Sequence, residues 1–407
     1  MGFVSFGFLG FLAAAVALFH LSPRAGWRRG VLALANLGFL ATWVHTPHDA
    51  LAMGGFVLGS FGLIRLSQRV GWRTLLVASL AALIGGLVWV KRYKLALAVL
   101  PADFFEPRLQ LIGISYMTFK AVHVLVDAHQ RQLAAVSLAS YANYQLGFFS
   151  LVAGPMQPYP DFRAWWDRIE EPLASREGAL RALSRVLHGL LQIGILAALA
   201  HGLWQQAIDG ALLPEPRGAA ALRLTTIFYA YPAYVYFNFS GYCDVVIGAA
   251  ALLGMRHQEN FDRPYLARNM VDFWDRWHIS LTHFIRDYVF MTSYKAWAER
   301  WPRTARQGGY ALLFGALLLA GIWHGSTWNF VIFGAIHGAG VAATRIWGDA
   351  LRSLFGREGA RRYDRDPWIR RAAVLATFHY ACFSFLFFEP GFRPALERLA
   401  AIAAKVF

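Results

Sequence analysis

The sequence predicts an all-α polytopic membrane protein with about 11 crossings plus re-entrant segments, and three observations carry that reading. Apolar residues fill 57% of the 407 positions and charged residues only 15%. Many apolar runs approach the roughly 20 residues needed to cross a bilayer core of about 30 Å. The arginines cluster between those runs, so the formal charge of +15 reads as positive-inside topology and not as a nucleic-acid surface. No polar stretch is long enough to fold as a soluble domain. The chain therefore reads as one integral membrane domain over residues 1–407, with a set of N-terminal helices in 1–110.

The first run, residues 2–21, lacks a basic leader and a small-residue cleavage site before Pro23, so it is expected to be a retained helix. Runs at 31–44, 50–64 and 74–90 follow. Arg24, Arg28 and Arg29 come after the first run, and Arg65, Arg69 and Arg73 after the third. Both loops then face one side, with the N-terminus outward. Lys91, Arg92 and Lys94 break this scheme, which requires a re-entrant segment or a count shifted by one.

Further runs lie at 110–127, 137–154, 181–207, 220–237, 240–254, 309–322, 326–342 and 371–388. Those of about 14 residues are short for lipid-facing spans and read as tilted, re-entrant or buried. In GISYMTFK and LVAGPMQPYPDF, Gly, Pro and small polar residues interrupt apolar sequence. Irregular backbone at membrane depth persists only where it is buried or lines a cavity, so these segments are expected to shape an internal channel.

Two polar stretches remain. Residues 345–371 read as a cytoplasmic loop or surface helix. Within 256–306, Phe273, Trp274, Trp277, His278, Leu281, Phe284 and Ile285 recur at helical spacing and predict one amphipathic helix at the interface or beside a polar cavity. Cys243 and Cys382 lie far apart in apolar runs and predict buried packing, not a disulfide framework.

His324, in GIWHGSTWNF, is the leading chemical candidate, because an ionisable side chain in apolar membrane sequence marks a substrate path, a proton relay or a base. A neutral imidazole there can take a proton from an attacking hydroxyl. Trp323, Ser326, Thr327 and Asn329 surround it in sequence, and Gly325 is expected to let a substrate approach the backbone. The structural alternative is a histidine that bridges helices. His278, flanked by Trp277 and one turn beyond Trp274, is expected to orient the acceptor, share a proton with His324 or donate to a developing oxyanion. An aromatic interfacial anchor is the competing reading of this segment.

Metal chemistry is disfavoured. His123 and Asp127 are four residues apart, but no His-Glu-x-x-His motif or cysteine pair accompanies them, and His45 and His48 read as exposed. A serine nucleophile lacks its Gly-x-Ser-x-Gly elbow. Ser240, Tyr242 and Asp244 must find polar partners within an apolar run, either across helices or in a cavity.

The block from YFNFSGYCDVVIG through DFWDRWHISLTHFIRDYVF, together with GIWHGSTWNFVIFGAIHG, GISYMTFKAVHVLVD, LVAGPMQPYPDF and ACFSFLFFEPGF, resembles the membrane-bound O-acyltransferase family over residues 111–407. The resemblance implies helices around a central funnel or pore, with the family's two histidines falling on His324 and His278. It further implies a short acyl group, acetyl or else D-alanyl, moved from a cytoplasmic thioester donor such as acetyl-CoA or an acyl carrier protein. The acceptor would be a hydroxyl of an envelope polysaccharide or of an extracytoplasmic relay partner. No bound cofactor is implied, and the location would be the inner (cytoplasmic) membrane. GSTWNF and GYCDVVIG lean toward the bacterial alginate O-acetyltransferase branch, whereas DFWDRWH and RDYVFM lean toward teichoic acid D-alanyltransferases. Substrate-binding roles are expected for Trp323, Asn329, Trp277, Trp274, Ser240 and Asp244. A proton-coupled transporter and an assembly scaffold are the competing classes.

Overall fold

The computed structural model describes residues 5–93, 111–171, 175–210, 216–325 and 327–389, with 397, 400 and 402–405. Lys94, Ser326 and residues 390–392 of the C-terminal motif lie outside the described residues. The chain forms α1 (Phe6–His20), α2 (Ala25–Ala41), α3 (Pro47–Val70), α4 (Arg73–Lys91), α5 (Ile114–His129), α6 (Leu138–Leu146) and α7 (Tyr159–Asp167). It continues with α8 (Arg176–Asp209), α9 (Arg217–Leu252), α10 (Met270–Trp274), α11 (Ile279–Phe284), α12 (Met291–Arg300), α13 (Ala305–His324), α14 (Trp328–Arg365) and α15 (Pro367–Phe385). Among the described residues there is no strand, only an isolated bridge between Phe261 and Trp277. Six helices are long and apolar enough to cross a bilayer: α3, α4, α8, α9, α14 and the segment ending α13. The protein is an all-helical, multi-pass membrane protein.

Local chemistry sets the helix ends. Ser5 and Thr46 cap α1 and α3 by accepting from the Phe8 and Asp49 amides, and Gly71 closes α3 in a left-handed conformation that suits glycine. Several elements depart from the sequence reading. The runs at 220–237 and 240–254 are one helix, α9, which carries Pro232 inside it, and the Pro232 carbonyl accepts from the Tyr265 hydroxyl at 2.8 Å. The run at 137–154 is helical only to Leu146, and residues 147–157 are irregular. The polar stretch 345–371 takes the helical one of its two expected forms, with a break at Gly356. The predicted amphipathic helix is interrupted at His278.

The chain divides into two compact units, Met1–Leu191 with Gly241–Glu259, and Gln192–Ser240 with Asn260–Phe407. In the first, arginines expected in loops are built into the packing. Arg28 is buried in α2, donates to the carbonyls of Ile169 (2.7 Å) and Glu171 (2.8 Å), and lies over the Phe19 ring. Arg29 stacks over Trp166. Here α8 and α9 cross at small residues. A Cβ on Gly189 would sit 2.4 Å from the Gly241 carbonyl, and one on Gly248 2.6 Å from Val186.

The second unit centres on Phe273, Trp277, Phe333 and Phe385. There α13 and α14 approach through glycines, since a Cβ on Gly321 would meet the Phe330 carbonyl at 2.4 Å and Gly334 Cα at 2.5 Å. This close crossing aligns the C-terminus of α13, and hence His324, beside the N-terminal half of α14.

Candidate active site

His278 occupies a left-handed conformation (φ 47°) at the start of α11. Such a backbone is uncommon for a non-glycine residue and persists only where neighbours over-determine it. Asn260 supplies that determination. Its Oδ1 accepts from the Ser280 amide (3.0 Å) and hydroxyl (2.9 Å), and its main-chain carbonyl accepts from the Ile279 amide (3.0 Å). His278 Nδ1 lies 3.3 Å from the same Oδ1, which can only accept, so Nδ1 carries the proton and Nε2 is left as an acceptor. The ring is buried, edge-on to Phe239 at 4.7 Å. Burial drives its pKa well below the ordinary histidine value, and the nearby His324 adds to the effect.

His324 closes α13 with Trp323 at 4.7 Å, Phe388 at 5.1 Å and Phe333 at 6.1 Å between ring centroids. Among the described residues neither of its ring nitrogens has a hydrogen-bond partner. The space beside Gly325 does not face a substrate, because a Cβ there would lie 2.1 Å from the Phe330 ring. That glycine admits Phe330, which packs on Phe388 and so on the wall of the His324 pocket.

Asn329 is also committed within the protein. Its amide donates to the Phe387 (3.2 Å) and Glu389 (2.7 Å) carbonyls, and its Oδ1 accepts from Thr327. It therefore anchors the segment that presents Phe388 to His324. Trp277 is buried, stacked on Phe273 at 5.6 Å and packed on Phe385 at 4.9 Å. Trp274 is buried, with an indole nitrogen that has no partner among the described residues, and borders a cavity of about 100 Å³ lined also by Val271, Asp275, Ile285, Leu317, Arg286 and Arg345. Ser240 is buried in α9. Asp244 belongs to the other compact unit, where Arg185 Nε (2.9 Å) and His188 Nδ1 (3.2 Å) hold it, giving the helix-to-helix tie that was one of its two expected roles. His123 is likewise used, with Nδ1 3.2 Å from Asp127 and Nε2 accepting from the Tyr159 amide at 2.8 Å.

The sequence reading missed His337. It is fully buried in α14, ringed by Phe333 (4.3 Å), Trp274 (5.1 Å) and Phe273 (5.9 Å). The Ser384 hydroxyl donates to the Ala381 carbonyl (2.7 Å), so at 2.8 Å it accepts from His337 Nε2–H and leaves Nδ1 bare. A second histidine in the apolar run after His324, again followed by glycine, was the available signal. Phe333 lies between His324 (6.1 Å) and His337 (4.3 Å), and Phe385 links Phe333 (5.8 Å) to Trp277 (4.9 Å), the residue before His278.

Three imidazoles in one aromatic-walled region can carry acid–base chemistry in the absence of bulk water. Residues 74–387 match the model of the membrane-bound O-acyltransferase family. The chain is 27% identical over 298 residues to the teichoic acid D-alanyltransferase of Streptococcus thermophilus, covering 69% of this chain and 68% of the relative. Against the Bacillus subtilis protein of the same name it is 29% identical, covering 69% of each. It is 32% identical over 239 residues to a probable alginate O-acetylase of Pseudomonas aeruginosa, covering 58% of this chain and 43% of that one. The match over most of the chain, including the three-histidine region, makes this protein a member of the membrane-bound O-acyltransferase family.

Proposed function

We propose that the protein moves a short acyl group, acetyl in the first instance, from a cytoplasmic thioester donor to a hydroxyl of an envelope polysaccharide or of an extracytoplasmic partner, in the inner membrane. The observation that carries this reading is His324, an imidazole with no hydrogen-bond partner among the described residues, next to two further buried histidines. His324 takes the proton of the acceptor hydroxyl as that oxygen attacks the thioester carbonyl. The new C–O bond forms, the C–S bond breaks, and the proton passes to the departing thiolate. His278 presents a bare Nε2, so it orients a hydroxyl by accepting from it, and the oxyanion-donor role is not open to this tautomer. Trp323, Trp277 and the surrounding phenyl rings keep water from the activated acyl group. Asn329 acts by holding Phe388 against His324. Arg345, beside the cavity under Trp274, is a candidate contact for a phosphate of a thioester carrier, whereas Arg286 is paired with Asp287 at 2.8 Å and Asp275 also lines the cavity. Ser240 and Asp244 serve the scaffold.

D-alanyl transfer toward a teichoic acid or similar polymer is the second reading, favoured by the longer matches to D-alanyltransferases. Purified protein in liposomes, offered acetyl-CoA and separately a D-alanyl carrier protein, tests both. Consumption of acetyl-CoA that disappears in His324→Ala is the expected result. Consumption of the D-alanyl thioester alone transfers the assignment to the second reading, and equal consumption by His324→Ala removes His324 from the mechanism.

A further inference from the structure

A second polar centre lies in the first compact unit. Lys120, on α5, is 3% exposed. Its ammonium donates to the Tyr144 carbonyl (3.0 Å) and the Ser150 hydroxyl (3.2 Å) and lies 5.2 Å from the Tyr144 ring centroid. Those contacts use two of its three N–H groups, and no carboxylate among the described residues pairs with it. The nearest candidate on the same helix, Asp127, faces His123.

His257 has its ring edge-on at 5.8 Å to Phe149, the neighbour of the Ser150 that accepts from the Lys120 ammonium. Both of its ring nitrogens are buried, and among the described residues neither has a partner. Two irregular segments hold the arrangement in place by exchanging side chains: Gln157 donates to the Arg256 carbonyl (3.0 Å), and Gln258 donates to the Met156 carbonyl (2.7 Å). The flanking Arg256 and Glu259 are exposed, so the centre lies one residue below the surface.

A buried cation without a counter-charge costs several kcal/mol, so burial pushes the Lys120 pKa down to about 7, and every unsatisfied buried nitrogen costs about 1–3 kcal/mol more. Water would satisfy the nitrogens but not the charge. We propose that Lys120 and His257 form a binding site for an oxyanion of the phosphate or carboxylate class, which would take the third lysine N–H and one imidazole N–H. The site stands apart from the acyl-transfer reading and does not depend on it.

The probes are inorganic phosphate and acetate added to the detergent-purified chain, with chloride at equal ionic strength as control. A parallel arm uses nanodiscs of zwitterionic lipid with and without phosphatidylglycerol. The readout is melting temperature for wild type, Lys120→Met, Lys120→Arg and His257→Phe. A rise of several degrees in wild type and Lys120→Arg that is lost in Lys120→Met and His257→Phe is expected. Its appearance with phosphate or acetate identifies a free oxyanion, and its appearance only with phosphatidylglycerol identifies a lipid headgroup. If Lys120→Met does not fold, His257→Phe alone decides. No rise in either arm, or an equal rise in His257→Phe, overturns the site.

Discussion

The irregular segment of residues 147–157 in the first compact unit and the histidine cluster of the second bury polar groups in opposite ways. In the first, side chains meet the irregular backbone of residues 147–157: Asn36 Oδ1 accepts from the Phe148 amide at 2.9 Å, the Tyr144 hydroxyl donates to the Gln157 carbonyl at 2.7 Å, and the Gln258 amide donates to the Met156 carbonyl at 2.7 Å. In the second, His278, His324 and His337 sit among aromatic rings with at least one nitrogen of each left uncommitted. Paired polarity at membrane depth makes a scaffold. Unpaired polarity in an otherwise well-packed region marks where a reaction or a ligand completes the hydrogen bonding. The Lys120–His257 centre is instructive because it sets unpaired polarity directly beside that paired segment.

The largest effect that distinguishes the two is expected at His324. Replacement by alanine should lower acyl transfer by roughly 10²- to 10⁴-fold, the range for loss of a general base, while the melting temperature moves little because no protein hydrogen bond is broken. A folded His324→Ala protein with near-normal turnover would place the chemistry elsewhere. Next comes His278→Gln, which should reduce kcat by roughly 10²-fold with little change in KM for the donor, as befits an orienting group displaced by an ångström. A change confined to KM would instead make His278 a binding residue.

The converse holds at the paired segment. Asn36→Ala removes the acceptor for the Phe148 amide and the donor to Asn143 Oδ1 (3.0 Å), so it should cost about 1–3 kcal/mol of stability. Turnover per folded molecule, measured beside the melting temperature, should be unchanged. A loss of kcat without a loss of stability would erase the distinction between the two regions.

Helical class, and the placing of His324 and His278 among apolar and aromatic neighbours, were legible because composition, run length and local motif are short-range properties. What was not legible depended on distant partners. Arg28 and Arg29 read as topology signals because nothing near them in sequence reveals the carbonyls of residues 166–171 that they bind. Gly325 and Asn329 read as substrate contacts because proximity to His324 along the chain was visible, whereas the Phe330 ring and the Phe387 and Glu389 carbonyls that occupy them were not. His278 sits within a helical periodicity that its own left-handed backbone interrupts, a break that Asn260, 18 residues earlier, imposes.

The smallest expected effect is the one that joins the two kinds of polarity. Burial first, and Lys120 second, lower the pKa of His257 to about 3, below its ordinary value of 6.5. Above pH 6.5 the ring is neutral folded or unfolded and contributes no pH dependence. As pH falls below 6.5 the unfolded chain binds a proton that the folded chain refuses, so stability declines down to about pH 3, with a slope of at most about 1.4 kcal/mol per pH unit. Melting temperatures of wild type and His257→Phe, compared from pH 7 to pH 4.5, isolate this contribution from that of the carboxylates, and the wild type should lose more. Phosphate should shrink the difference, because an oxyanion between Lys120 and His257 offsets the lysine charge and lets the imidazole accept its proton in place. A difference that phosphate leaves untouched would mean that His257 is buried for packing alone.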